Sequence, residues 1–446
     1  MYAALCRQLD KPLCIVTPGE AEATRFAADL NTLGIPAAVF PARDYVLRPI
    51  EGTAREYEYR RLAVLGELVG GRLRAVAVPA EALTQFTTPK EDFCANTRTL
   101  HAGDTLLRDD LLAALFGAGY TRRAQVDGPG QFSVRGDIVD IFAPDQKMPV
   151  RMEFWGDEID TLHTFDLTTQ RREDAIDKFY LSPAREVLFG KPADAAEQLR
   201  AFLAKQRGKK KTAMADCMAA DLDLLDGGAV PVNMDKYLAV RYPHPATVLD
   251  YFDDPILVAE EPASIREADR ATAYRRGEEL KSLILDGVLC AGLDNLYADP
   301  SYLWSKTGHY RTICAENFAR SMPDQPLKDI INAPAHTLPA WNGEVAGLLE
   351  DLKPLCDAGY TVTLLAGTDR AAAGLARDLR DKGILVTTDA AAAPAAGLVQ
   401  VLAGHLSAGC EFPFAKYALL TGRAFGETSS QKKKRKKAKD ALNSLT

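Results

Sequence analysis

A short apolar run, Leu13-Cys14-Ile15-Val16, is followed by a helix-patterned stretch and then by a second apolar run, Ala37-Ala38-Val39-Phe40. Thr17-Pro18-Gly19-Glu20 breaks the first strand and opens the helix. Ala21 to Leu33 carries Phe26, Leu30 and Leu33 at helical spacing, and Gly34 ends it. Strand, helix, strand in this order constrains the fold strongly, because two strands joined through a crossover helix lie parallel, with helices covering the sheet. The expected class is therefore α/β. A further helix over Arg55–Val69 and a strand over Ala75–Val78 extend the unit. The pattern returns late in the chain. Thr361–Leu365 reads as a strand, Thr368-Asp369 as a cap, Ala371–Lys382 as a helix ended by Gly383, and Ile384–Thr387 as a strand. The second α/β unit resembles the first in layout.

Between the two lies a stretch with a period of two. Gln131–Asp137 leads into Ile138–Phe142, and Val150-Arg151-Met152-Glu153-Phe154-Trp155 alternates apolar and polar residues up to a Gly156-Asp157 pair. A glycine at the first of two loop positions suits a type II′ hairpin. This segment is expected to be an antiparallel insertion in the first α/β domain. Alternation puts Val150, Met152 and Phe154 on a core face and Arg151, Glu153 and Trp155 on the opposite one. Arg151 and Trp155 then stand about 13 Å apart along the strand. Arg135 shares its parity with Ser133, against Phe132 and Val134, and is also expected to point outward. Exposed Arg and Trp are the residue types that dominate protein-binding hot spots. The same pattern also describes a Trp folded over its neighbours beside solvated Arg–Glu pairs.

The net charge is −7, and one run stands against it: Lys432–Lys439 has seven basic residues in eight. The run suits a solvated linker or an arm touching phosphates. Gly208–Lys211 is a smaller basic turn or exposed helix end. None of the eight cysteines forms a CxxC pair, so a zinc ribbon or a thioredoxin-like site is not indicated. A reducing, cytoplasmic location is expected, with no signal peptide and no membrane span. Catalytic signatures are missing. No GxxxxGK[ST] string is present to cradle phosphates, and the nearest, Arg207–Thr212, lacks the upstream glycine and a Ser or Thr directly after Lys209. The six histidines lack metal-site spacing, and there is no GxSxG elbow. Ile256–Glu261 has the outline of a magnesium-binding strand end, or simply of a strand meeting a loop.

The segments Gly130–Phe142 and Pro149–Asp160, followed by Phe165-Asp166 and Thr169-Gln170-Arg171, resemble the domain shared by the excision-repair protein UvrB and the transcription-repair coupling factors. Phe40–Asp44, Leu181–Glu186 and Leu406–Pro413 with the lysine-rich run favour the coupling factors. The resemblance implies a degenerate, helicase-like parallel α/β domain with an inserted antiparallel β-rich domain, followed by a second small α/β domain. The implied boundaries are 1–97 and 183–335 for the first domain, 98–182 for the insertion, 336–428 for the small domain and 429–446 for a basic linker. It implies UvrA as partner of the insertion, with Arg135, Arg151 and Trp155 at the family's contact positions. RNA polymerase and DNA would be reached through parts of the parent beyond this chain, and ATP and magnesium would belong to the parent's motor alone. It also implies that the chain begins inside the family's first helix. An ATPase with an unrecognised site and a UvrB-like binder of damaged DNA are the competing readings.

Overall fold

The computed structural model describes residues 1–50, 55–318, 327–338, 340–341 and 345–422. The run Lys432–Lys439 and the expected linker 429–446 lie outside the described residues. Two compact units emerge, one from 1–27 with 36–321 and one from 28–35 with 322–446.

In chain order the first unit begins with β1 (Leu13–Thr17), β2 (Ala37–Val39) and β3 (Ala75–Pro79). The insertion follows, with β4 (Arg98–His101), β5 (Thr121–Arg122), β6 (Gln131–Arg135), β7 (Ile138–Phe142), β8 (Val150–Trp155), β9 (Glu158–Phe165), β10 (Arg172–Ala175) and β11 (Lys178–Leu181). β12 (Ile256–Glu260) and β13 (Arg311–Ala315) then return to the first sheet. That sheet has the order β13-β12-β1-β3-β2, and every pair in it is parallel. β1 and β3 are buried at every position, as strands covered on both faces must be.

The insertion is a second sheet of order β10-β9-β8-β7-β6-β5, antiparallel throughout β6 to β10. Its core side gathers Phe132, Val139, Ile141, Val150, Met152 and Phe154, closed by Leu111 and Leu115 of the helix Arg108–Gly117. β4 and β11 pair with each other, antiparallel, where the chain enters and leaves.

A buried ionic network fixes the exit of the insertion to the parallel domain. Arg61, in the helix Glu56–Val69, donates from Nε and Nη2 to the two oxygens of Glu186 at 2.7 and 3.1 Å. Its Nη1 donates to the Pro41 carbonyl and to Gln85. Arg43 donates to Asp235 at 2.7 and 3.2 Å. Burial pushes the Glu58 carboxyl up, but Arg43, Arg55 and Arg185 outweigh it and hold the group at about 2. The motifs Phe40–Asp44 and Leu181–Glu186 thus supply buried charges that satisfy one another.

The second unit holds β14 (His336–Leu338), β15 (Thr361–Leu365), β16 (Val386–Thr387), β17 (Val399–Leu402), β18 (Gly409–Phe412) and β19 (Tyr417–Thr421). They form one sheet of order β14-β18-β19-β15-β17-β16. Its β19-β15-β17-β16 half is parallel, and β18 and β14 add antiparallel. The expected strand over Ile384–Thr387 shortens to Val386–Thr387, because Ile384 is used in the helix stop. Gly383 adopts φ +81°, and the Ile384 N–H bonds back to the Leu379 carbonyl. At Gly409 β18 approaches its neighbour too closely for a side chain: a Cβ there would sit 2.6 Å from the Leu419 carbonyl oxygen.

Candidate functional site

Two turns of the same sequence shape one end of the inserted sheet. Gly136-Asp137 joins β6 to β7, and Gly156-Asp157 joins β8 to β9, with Arg135 opposite Ile138 and Trp155 opposite Glu158. Gly136 and Gly156 have φ of +61° and +63°. Only glycine takes this conformation without a Cβ penalty, so the glycines fix both turns. Since β6, β7, β8 and β9 run alternately up and down, both turns lie at the same end. Arg108 donates to the Gly136 carbonyl at 2.8 Å and holds the first turn against the helix it begins.

Along β8 the apolar Val150, Met152 and Phe154 are buried, Arg151 and Glu153 are half-buried, and Trp155 is 82% exposed. The register shifts between Glu153 and Phe154, just before the indole. Trp155 is therefore not folded over its neighbours but is an open apolar surface beside a tight turn.

The two arginines behave differently from each other. Cross-strand register stacks Ser133, Asp140, Arg151 and His163 in one row across β6 to β9, on the side facing away from the core. Asp140 is fully buried there. Its two oxygens receive Arg151 Nε at 2.7 Å and Nη2 at 2.9 Å, and Arg135 Nη2 at 2.6 Å. The Arg135 side chain is 47% exposed and that of Arg151 only 11%. The expectation that Arg151 points freely to solvent is thus corrected. It lies over the Phe165 ring at 4.8 Å and gives its remaining Nη1 to the Gln170 carbonyl. The cause is a small apolar cluster on the outer side, Val126, Phe142 and Phe165 with Leu167 against it. Phe142 shares the parity of Asp140, and Phe165 that of His163, so the signal was present in the alternation.

The loop after β9 completes the cover. Asp166 accepts the Thr168 and Thr169 N–H groups, and Gln170 adopts φ +58°, which directs its carbonyl to Arg151. Thr169-Gln170-Arg171 is therefore a lid-forming turn over the arginine–aspartate pair. Glu153, the other polar residue of β8, pairs with Arg172 of β10.

Elsewhere the candidate chemistry is engaged internally. Tyr2 donates its hydroxyl to Glu260, and the Asn317 backbone and side chain donate to Glu261 at 2.9 and 2.7 Å. Among the described residues no group of three or more His, Cys, Asp or Glu is arranged to hold a metal ion. Nor is any helix among them long and apolar enough to cross a membrane.

The model of the UvrB interaction domain family matches residues 99–187, the inserted sheet and its β4–β11 base. Nearly the whole chain is similar to proteins named transcription-repair-coupling factor. That of Bacillus subtilis is 25% identical over 97% of this chain and 38% of the relative. That of Staphylococcus haemolyticus is 26% identical over 91% and 35%, and that of Staphylococcus aureus (strain MRSA252) 24% over 99% and 38%. The chain spans little more than a third of the length of these curated relatives.

Proposed function

We infer that this chain, part of a transcription-repair-coupling factor, is the section that recruits the excision-repair protein UvrA, and that it does so without catalysis of its own. The observation that carries the reading is the indole of Trp155, 82% exposed at a glycine-fixed turn, at the same sheet end as the half-exposed Arg135. An aromatic anchor with a nearby guanidinium is the composition of a hot spot. Two tight turns hold it, so little ordering opposes docking.

Arg135 and Trp155 are the contact residues in this reading, and Arg151 is a positioning residue. By clamping Asp140 it fixes the carboxylate against which Arg135 is oriented. Residues 98–182 form the docking domain, and 1–97 with 183–335 form the parallel domain on which it stands. That domain is a helicase-like fold that no longer binds nucleotide, in keeping with strand-end carboxylates committed to Tyr2 and Asn317. Residues 336–428 form the small domain. The chain needs no cofactor. RNA polymerase, ATP and magnesium, and the DNA on which the motor acts, are engaged by other parts of the parent protein, in the cytoplasm.

A pull-down of the full chain with purified UvrA, repeated with Trp155→Ala, tests the proposal. Capture by the natural chain and its loss in the variant are expected. Failure of the natural chain to retain UvrA overturns the reading.

A further inference from the structure

The helix Gly208–Asp226 opens with three consecutive lysines, Lys209, Lys210 and Lys211, and Lys205 and Arg207 precede it in the turn. All five are exposed, and among the described residues none has an ion-pair partner. The helix packs on Pro192–Ala204 as a hairpin through Ala195, Leu199, Met214 and Met218, and the five basic residues lie at its tip, with the Lys210 side chain turned back against Gly292.

For folding alone this placement is unfavourable. A helix N-terminus carries partial positive charge, so cations there are disfavoured. The first turn contains no acidic residue, and no side chain caps it. Repulsion among neighbouring like charges adds to this. A bound polyanion removes both penalties together.

Its chemistry can be narrowed. Exposed residues 205–213 are lysine, arginine, glycine, threonine and alanine, with only Gln206 partly covered. No aromatic group is there to stack on bases, and no large apolar group to enter a bilayer. Point charges without a reading surface fit regularly spaced phosphates. The chain as a whole carries −7, so phosphate attraction is confined to such local clusters.

We propose that this hairpin tip is a docking point for the phosphate backbone of double-stranded nucleic acid, independent of sequence and of the UvrA face. The tip reaches about two to four phosphates, so its share of the slope of log K against log salt is about 2–3.

The test is fluorescence anisotropy of the full chain with a labelled duplex of about 30 base pairs, at salt from about 25 to 200 mM. One variant replaces Lys205, Arg207, Lys209, Lys210 and Lys211 with glutamine; a second carries only Lys209→Glu and Lys211→Glu, which suit a helix start and keep the fold. Both are compared in the natural chain and in one whose basic residues in 432–439 are glutamine, which removes binding by that run. Expected are about tenfold weaker duplex binding at low salt, a slope lower by about 2–3, and an unchanged or higher melting temperature. Unchanged affinity and slope in both backgrounds overturn the proposal. So does loss of sedimentation with phosphatidylserine vesicles while duplex binding is kept, which would assign the tip to a membrane.

Discussion

Arg151 grips both carboxylate oxygens of Asp140, at 2.7 and 2.9 Å, on the side of the inserted sheet that faces away from its core. Asp140 is fully buried while Arg151 keeps 11% of its side chain open, so the pair is a structural clamp. Arg151→Ala is expected to destabilise the chain by on the order of 2 kcal/mol, since it strips charge-assisted hydrogen bonds from a covered carboxylate. Urea unfolding measures this. Arg135→Ala leaves that clamp in place and is expected to cost less than about 1 kcal/mol of stability. An Arg135→Ala variant less stable than Arg151→Ala would reverse these assignments.

Trp155 is expected to show the opposite profile. With most of its surface in water, its removal takes little from the folded state, within about 0.5 kcal/mol. For UvrA, Trp155→Ala is expected to cost about 2 kcal/mol, roughly thirtyfold in Kd. Calorimetric titration alongside a thermal melt separates the two quantities.

The Arg61–Glu186 pair is buried at both partners. Arg61→Ala leaves Glu186 facing Arg43 alone and is expected to cost about 3–5 kcal/mol, as for other broken interior ion pairs. An apolar replacement of both partners is expected to recover part of the loss. Denaturant midpoints of the two single variants and the double variant give the coupling energy.

Glu58 makes the parallel domain acid-labile in a defined window. Its folded carboxyl is held at about 2, against 4.5 as the ordinary value. A depressed acid stabilises the fold in full above 4.5, and the contribution is lost as pH falls from there through about 2. The effect is on the order of 3 kcal/mol. Circular dichroism unfolding at stepped pH should show stability falling across this window in the natural chain and a flatter profile in Glu58→Gln.

The inserted sheet was the most legible part of the sequence, because Val150–Trp155 alternates without a break and its glycines mark the turns. The covering of Arg151 is only half legible there: parity puts Phe142 and Phe165 on its face, but cross-strand register is needed to place them beside it. The 24-residue helix Pro262–Leu285 left no apolar stripe to find. Its buried positions are Pro262, Ile265, Asp269, Thr272, Arg276 and Leu283, a helical spacing half filled with polar residues. Arg276 bonds to Thr84 and the Glu81 carbonyl, so the face is inward but does not look hydrophobic. The motifs Phe40–Asp44 and Leu181–Glu186 were visible as strings, yet their buried ionic role needed Asp235 and Arg61 from distant segments. In the second unit, the parallel strand Thr361–Leu365 and its following helix were readable, whereas antiparallel β14 and β18 are too short to carry a period.

Because β4 and β11 pair side by side where the chain leaves and rejoins the parallel domain, the inserted sheet has neighbouring ends. Such an attachment makes the sheet portable. A host chain needs only one surface loop with neighbouring ends to accept it, and the order of the host's own strands stays untouched. A recognition surface built this way can be inherited as a cassette, surviving on scaffolds whose original chemistry has decayed.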